Sequence, residues 1–185
     1  MIKKVLVPLA QGCEELEAVT IIDILVRGGV DVISASLDSN KVITASRGVQ
    51  LVANKTLDEV LEDSFDMIVL PGGLPGADYL NSDQRIIALL KRTAQNQGIT
   101  AAICAAPKVL VTAGLLDNKK ATSYPGVIEH SPADGMQYIN IPVVTDGKVV
   151  TSRGPGTAIE FALELLLMLM GDKTRNEVET ALVRS

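Results

Sequence analysis

The chain is poor in the side chains on which several common functions depend. Aromatic residues make up 3% of its 185 positions, with no tryptophan, so a stacking platform for nucleic-acid bases is not expected. Seventeen Lys and Arg face 22 Asp and Glu, a formal net charge of −5, which argues against binding a phosphate backbone. A single histidine rules out a multi-histidine metal site, and neither a metal nor a cofactor is expected. No long apolar run opens the sequence: "MIKK" leads into "VLVPLA", too short to span a membrane and unlike a signal peptide. Two cysteines are too few for a disulfide framework. A cytoplasmic protein with reduced thiols is the expectation.

Core-forming material is plentiful, at 47% hydrophobic residues, and the length suits one domain, 1–185. Short apolar runs at 3–10, 30–36, 65–73 and 99–104 read as strands. Helical periodicity with glycine stops covers 14–29 and 82–98, and further helices are expected at 106–116, 156–171 and 174–183. Segment 41–55 reads as a hairpin turning at "SRG", and "DG" at 146–147 marks another within 141–152. Strands that alternate with helices and are apolar throughout indicate a parallel sheet covered on both faces. The expected fold is a flavodoxin-like, doubly wound α/β/α sandwich, with its site beyond the carboxyl ends of the strands.

Three unusual stretches fall at that edge. In "ITAAICAAPKVL" (99–110) a strand turns at once into a helix, with small residues around Cys104 and Pro107 in the first helical turn. The spacing resembles the nucleophile elbow of hydrolases. It admits two readings: a thiol packed under a helix, or a working thiol whose charge is stabilised by helix-start amides. "LPGG" (70–73) follows a buried strand and frees backbone N–H groups to cradle an anion. "QGCEELE" begins a helix. Glu14 and Glu15 there suit the macrodipole and read as structural. Glu17 instead shares a face with Ile21, Ile24 and Gly28, so its pKa should be raised. A neutral Glu17 facing Cys104 would donate to a thiolate, whereas an ionised one would suppress it. A second glycine-rich approach, "SRGPGTAIEF" (152–161), contains Gly154 and Pro155 and suits an anion. It lacks the lysine and glycine spacing of nucleotide-binding loops.

With "GCEELEAVTIIDILVRGG", "ASRGV", "LPGG", "AAICAAP" and "TSRGPGTAIEFAL" in this order, nearly the whole chain resembles the ThiJ/PfpI superfamily. It is most similar to the parkinsonism-associated deglycase branch and to bacterial YajL-type stress chaperones. The resemblance implies that Cys104 is a reactive cysteine, readily oxidised to a sulfinic acid, with Glu17 as its protonated partner. It implies that Gly73 and Ala105 supply backbone donors to the sulfinate or an oxyanion. It also implies a homodimer, with the first helix and the "SRG" hairpin near the interface and Arg27 and Arg47 approaching the partner's site. Two positions depart from the pattern. Tyr124, in "TSYP", stands where several relatives carry a histidine, which weakens the case for a Cys-His pair; His130 reads as a surface residue. Ala105 stands where the protease-like branch has histidine, which disfavours peptidase activity. Cys13 reads as a packed thiol, the other reading being a resolving partner for Cys104.

Three roles are compatible with these residues. One is an oxidative or carbonyl-stress protein whose Cys104 oxidises. The second is a deglycase or glyoxalase-type enzyme in which Cys104 attacks small α-oxoaldehydes or glycated side chains, with Glu17 moving protons. The third is a non-enzymatic redox-regulated chaperone. Nothing in the residues demands thiazole-biosynthesis chemistry.

Overall fold

The computed structural model describes residues 2–184. The chain enters at the middle of the sheet with β1 (Lys4–Leu9), whose residues are buried from Val5 onward. It passes through α1 (Glu15–Arg27) to β2 (Asp31–Ser36), the hairpin β3 (Val42–Thr44) and β4 (Gln50–Val52), and the short β5 (Lys55–Thr56). It then returns through β6 (Met67–Leu70), α2 (Gly76–Ser82), α3 (Gln84–Gln95), β7 (Ile99–Ile103) and α4 (Pro107–Thr112). The last part holds β8 (Lys120–Ala121), β9 (Gln137–Tyr138), β10 (Val143–Asp146), β11 (Val149–Ser152), α5 (Ala158–Met170) and α6 (Asp172–Ala181).

Seven strands form the main sheet in the order β10-β11-β7-β6-β1-β2-β5. Every pairing in it is parallel except β10 with β11, the hairpin at the "DG" turn. This is the doubly wound architecture read from the sequence. The chain builds outward from β1 to β2, then crosses to β6 on the other side. The direction therefore reverses between β1 and β6, and a crevice opens there beyond the strand ends.

Alternate strand residues face opposite ways, and two apolar cores result. Val5, Val7, Met67, Val69, Ala101 and Ile103 pack under α1, α5 and α6. Leu6, Ile68, Leu70 and Ala102 pack under α2, α3 and α4. α1 buries Ala18, Ile21, Ile24 and Leu25, and α3 buries Ile86, Ile87, Leu89 and Leu90. Asp83, the N-cap of α3, accepts from the Arg85 N–H.

Besides the short strand β9, which the sequence does not signal, three helices differ from the sequence reading. α2 was not expected: "GADYLNS" begins with glycine and follows proline, so it carries no helical signal beyond its buried Ala77 and Leu80. α4 ends at Thr112, with Gly114 in the left-handed region (φ 70°), so the helix does not reach Leu116. α5 starts at Ala158, after a single 3₁₀ turn at Pro155–Thr157.

Gly28 lets α1 and α5 approach closely. A Cβ there would overlap Leu166 Cδ1 and lie 2.9 Å from Leu166 Cδ2. Gly28→Ala should therefore destabilise the fold by about 1–3 kcal/mol despite alanine's better helix propensity. In a Leu166→Ala background the same change should cost far less, a non-additivity that urea denaturation of the four proteins measures.

Candidate active site

Glu14, Gly72 and Cys104 each stand just beyond a strand end, following β1, β6 and β7. Glu14 caps α1: its carboxylate accepts the Glu17 N–H at 2.7 Å, and its own N–H donates to the Gly72 carbonyl at 2.9 Å. Glu15 reaches the other way. It accepts from Ser46 Oγ at 3.0 Å and from the Arg47 N–H at 2.8 Å, tying the "SRG" turn to the start of α1. The structural reading of these two acids holds.

Glu17 is fully buried, as its place among Ile21 and Ile24 predicts. Its Oε2 accepts the Gly72 N–H at 2.7 Å. Its Oε1 is buried with no conventional hydrogen bond. A Cβ on Gly72 would lie 2.6 Å from Cys104 Cβ and 2.9 Å from Glu17 Oε2, so the loop threads tightly between the two side chains. The Gly72–Glu17 bond is not legible in the sequence, where only the glycine pair was conspicuous.

Cys104 adopts φ 63°, a left-handed corner that a non-glycine residue occupies at a cost of about 1–3 kcal/mol. Its backbone is pinned there. The N–H donates to the Ser152 carbonyl at 3.0 Å, and the carbonyl accepts the Tyr124 N–H at 2.9 Å. The residue is 9% exposed. The backbone N–H groups of Gly73 and Ala105 address its sulfur. Gly73 (φ 89°) turns its amide inward at a point where a Cβ would be driven into the backbone of Cys13 and Glu14.

Burial pushes the Glu17 carboxyl up to about 7, against the pull of the Gly72 N–H and the Cys104 thiol and with help from the Glu14 charge. Facing an ionised Glu17, the thiol in turn is pushed up to about 12, first by burial, then by the carboxylate's charge and its hydrogen bond. The Gly73 and Ala105 amides oppose this rise but do not overcome it. The amides favour the thiolate and an ionised Glu17 outweighs them, the suppression expected of an ionised partner. The Glu17 charge suppresses the thiolate, so the two groups titrate as a coupled pair that takes its first negative charge near neutral pH and resists a second.

Cys13 is fully buried, and burial followed by the charges of Glu15 and Glu14 pushes its thiol up to about 12. Both cysteines are free. Tyr124 is half exposed and, with Gly154 and Pro155, lines a groove of about 280 Å³. Arg27 is not part of this chain's site: it lies ten residues along α1 from Glu17, about 15 Å at the helical rise, paired with Asp23 at 2.6 Å. Arg47 is exposed, and its backbone, not its guanidinium, meets Glu15. His130 is exposed, beside Gly126. Ser152 and Arg153 open the "SRGPGTAIEF" stretch, in which the sequence reading gives a role only to Gly154 and Pro155.

A model described as the DJ-1/PfpI family matches residues 3–168. The chain belongs to that family. It is 42% identical to Protein DJ-1 homolog A of Arabidopsis thaliana over 98% of its own length and 46% of the relative's. The chain thus spans under half of that relative. It is 35% identical to Glutathione-independent glyoxalase DJR-1.2 of Caenorhabditis elegans, covering 91% of this chain and 89% of that one. The crystal structure of Drosophila melanogaster DJ-1beta superposes with a TM-score of 0.95 at 39% identity and full coverage of both chains. Membership in the DJ-1/PfpI family agrees with the doubly wound sheet. Among the described residues, no helix is long and apolar enough to cross a membrane.

Burying Glu17 makes stability depend on pH in a fixed direction. The folded carboxyl holds its proton to about 7, against 4.5 for the free group. The unfolded chain therefore binds fewer protons in that window, and stability falls as pH rises through it. In a Cys104→Ser background, which removes the coupled thiol, Glu17→Gln should gain about 3 kcal/mol of stability between pH 4.5 and pH 8 relative to its parent, from the raised carboxyl. Urea denaturation across pH checks this, and a difference independent of pH would contradict it.

Proposed function

We propose that this protein is a carbonyl- and oxidative-stress protein in which Cys104 is the nucleophile and Glu17 the proton carrier, with small α-oxoaldehydes or glycated side chains as substrates. The observation that carries this reading is the buried Glu17 wedged with Gly72 against a cysteine whose sulfur is addressed by two backbone amides. The DJR-1.2 relative, named as a glutathione-independent glyoxalase, supports it.

The pair's single charge sits on the sulfur in the reactive form. There the sulfur has the Gly73 and Ala105 amides, and a neutral Glu17 adds an O–H donor in place of a repelling carboxylate. The thiolate attacks the aldehyde carbon of an α-oxoaldehyde. The S–C bond forms as the carbonyl π pair moves to oxygen, which takes the Glu17 proton and gives a hemithioacetal. Ionised Glu17 then removes the proton from that carbon, producing an enediolate; the hydroxyl proton passes from the first oxygen to the second, and Glu17 returns its proton to the adjacent carbon, giving a 2-hydroxy thioester and an ionised Glu17 again. Water hydrolyses the thioester, releasing the 2-hydroxy acid and the thiol. With a carboxyl near 7, the same group serves as acid and base at neutral pH.

The two amides equally suit the oxygens of an oxidised sulfur, and this supports a redox-responsive role for the same residue. A homodimer forms part of the proposal: α1 exposes Leu16, Val19 and Val26, and the neighbouring hairpin exposes Val49 and Val52, an apolar surface suited to a second copy.

Lactate formation from methylglyoxal should be abolished by Cys104→Ser and reduced by about a hundredfold or more by Glu17→Gln, the range for losing a positioned acid-base group. Lactate that survives in Cys104→Ser would rule the mechanism out. Intact-mass analysis after mild peroxide should show two added oxygens, mapping to Cys104 and not to buried Cys13.

A further inference from the structure

Near the Glu17–Cys104 pair, Arg153 is a partly buried cation with no partner of its own among the described residues. Arg153 follows Ser152, whose carbonyl accepts the Cys104 N–H. Its Nε is shielded from solvent and makes no hydrogen bond, and its guanidinium enters no ion pair among the described residues. Arg47, also without a side-chain partner among the described residues, is exposed; the remaining arginines are all engaged. Arg85 binds Asp83, Asp58 and the Leu37 carbonyl; Arg92 binds two carbonyls; Arg27, Arg175 and Arg184 pair with acids. Arg153 lines the groove of about 280 Å³ that it shares with Tyr124, Gly154 and Pro155, and no carboxylate lines it. The Tyr124 ring lies over Gly154, 3.5 Å from where a Cβ would stand, and the Tyr124 N–H bonds the Cys104 carbonyl. The groove is thus attached to both sides of the Cys104 peptide unit. The acids of the site, Glu14, Glu15 and Glu17, all belong to the start of α1 and not to this groove.

Arg153 is partly buried, with its Nε shut off from water and without an acceptor, and a guanidinium facing a groove in this way is matched by a carboxylate, which takes two parallel N–H bonds. We propose that Arg153 is a specificity residue that anchors a carboxylate beside Cys104, so that the site takes small carbonyl compounds bearing a carboxylate, or their 2-hydroxy-acid products, in preference to neutral analogues. This rests on the reading of Cys104 as the nucleophile and adds the charge of the substrate to it. It also gives a 2-hydroxy acid a place to dwell after thioester hydrolysis.

The test uses alkylation, which needs no turnover. Iodoacetate and iodoacetamide transfer the same carbon to sulfur with loss of iodide and differ in charge, so their rate ratio at Cys104, followed by peptide mass, reads anion guidance apart from thiol reactivity. Arg153→Gln should lower the iodoacetate-to-iodoacetamide ratio about tenfold, as expected for one lost charged hydrogen-bond anchor, and Arg153→Lys should restore part of it. A ratio unchanged in Arg153→Gln would overturn the proposal. A second measurement uses the wild type alone: lactate should protect Cys104 from iodoacetamide at concentrations where lactamide does not, and equal protection by the two would also overturn it. A protein that makes no lactate from methylglyoxal yet shows both charge effects would sink the glyoxalase reading and support the anion site.

Discussion

The site is organised around one electrostatic constraint: a carboxyl and a thiol share a dry corner that tolerates a single negative charge. Glu17 is fully buried, and burial lifts it into the neutral range. An ionised Glu17 would lift the thiol out of that range. The backbone offers donors to both ends of the pair. One amide, from Gly72, addresses the carboxyl, and two, from Gly73 and Ala105, address the sulfur. Fixed dipoles of this kind need no reorganisation when charge moves from carboxyl to sulfur or to a substrate oxygen.

The fold exists in a form that holds those three amides in place. α1, the loop after β6 and the corner after β7 start from neighbouring parallel strands, so their first residues converge at the point where the sheet reverses direction. Glu14 fastens α1 to the glycine loop, and Ser152 with Tyr124 fastens the corner. Glu15 extends the same framework to the β3–β4 turn. The left-handed Cys104 is therefore held on both sides of its peptide unit, which is how a strained backbone persists in a folded protein.

Much of this was legible in residue order. Strands such as "KVLVPL" and "ITAAI" are almost continuously apolar because helices cover both sheet faces, and that pattern alone points to a doubly wound sheet. Glu17 stood out because a carboxylate on the same face as Ile21 and Ile24 has to be buried. Cys104 stood out because small residues and a proline permit a tight corner. What stayed hidden depends on distance in space. The Gly72 bond to Glu17 joins residues 55 positions apart, and no local pattern encodes it. α2 lacks the apolar repeat that betrays a helix, because only Ala77 and Leu80 among its side chains need cover. Arg27 lies at the end of α1 far from this chain's Glu17, and the resemblance assigned it to a partner's site, which residue order within one chain does not encode. Arg153 was overlooked because an arginine next to glycines reads as surface until its partners are counted.

The account rests on the location of the pair's charge, and one titration locates it. Thiolate ultraviolet absorbance and the ¹³C shift of a labelled Glu17 carboxyl, followed together across pH in the reduced wild-type protein, report the two ends of the pair. The account predicts a thiolate signal at neutral pH while the carboxyl carbon still has the shift of a protonated acid. An ionised carboxylate beside a neutral thiol at the same pH would contradict it.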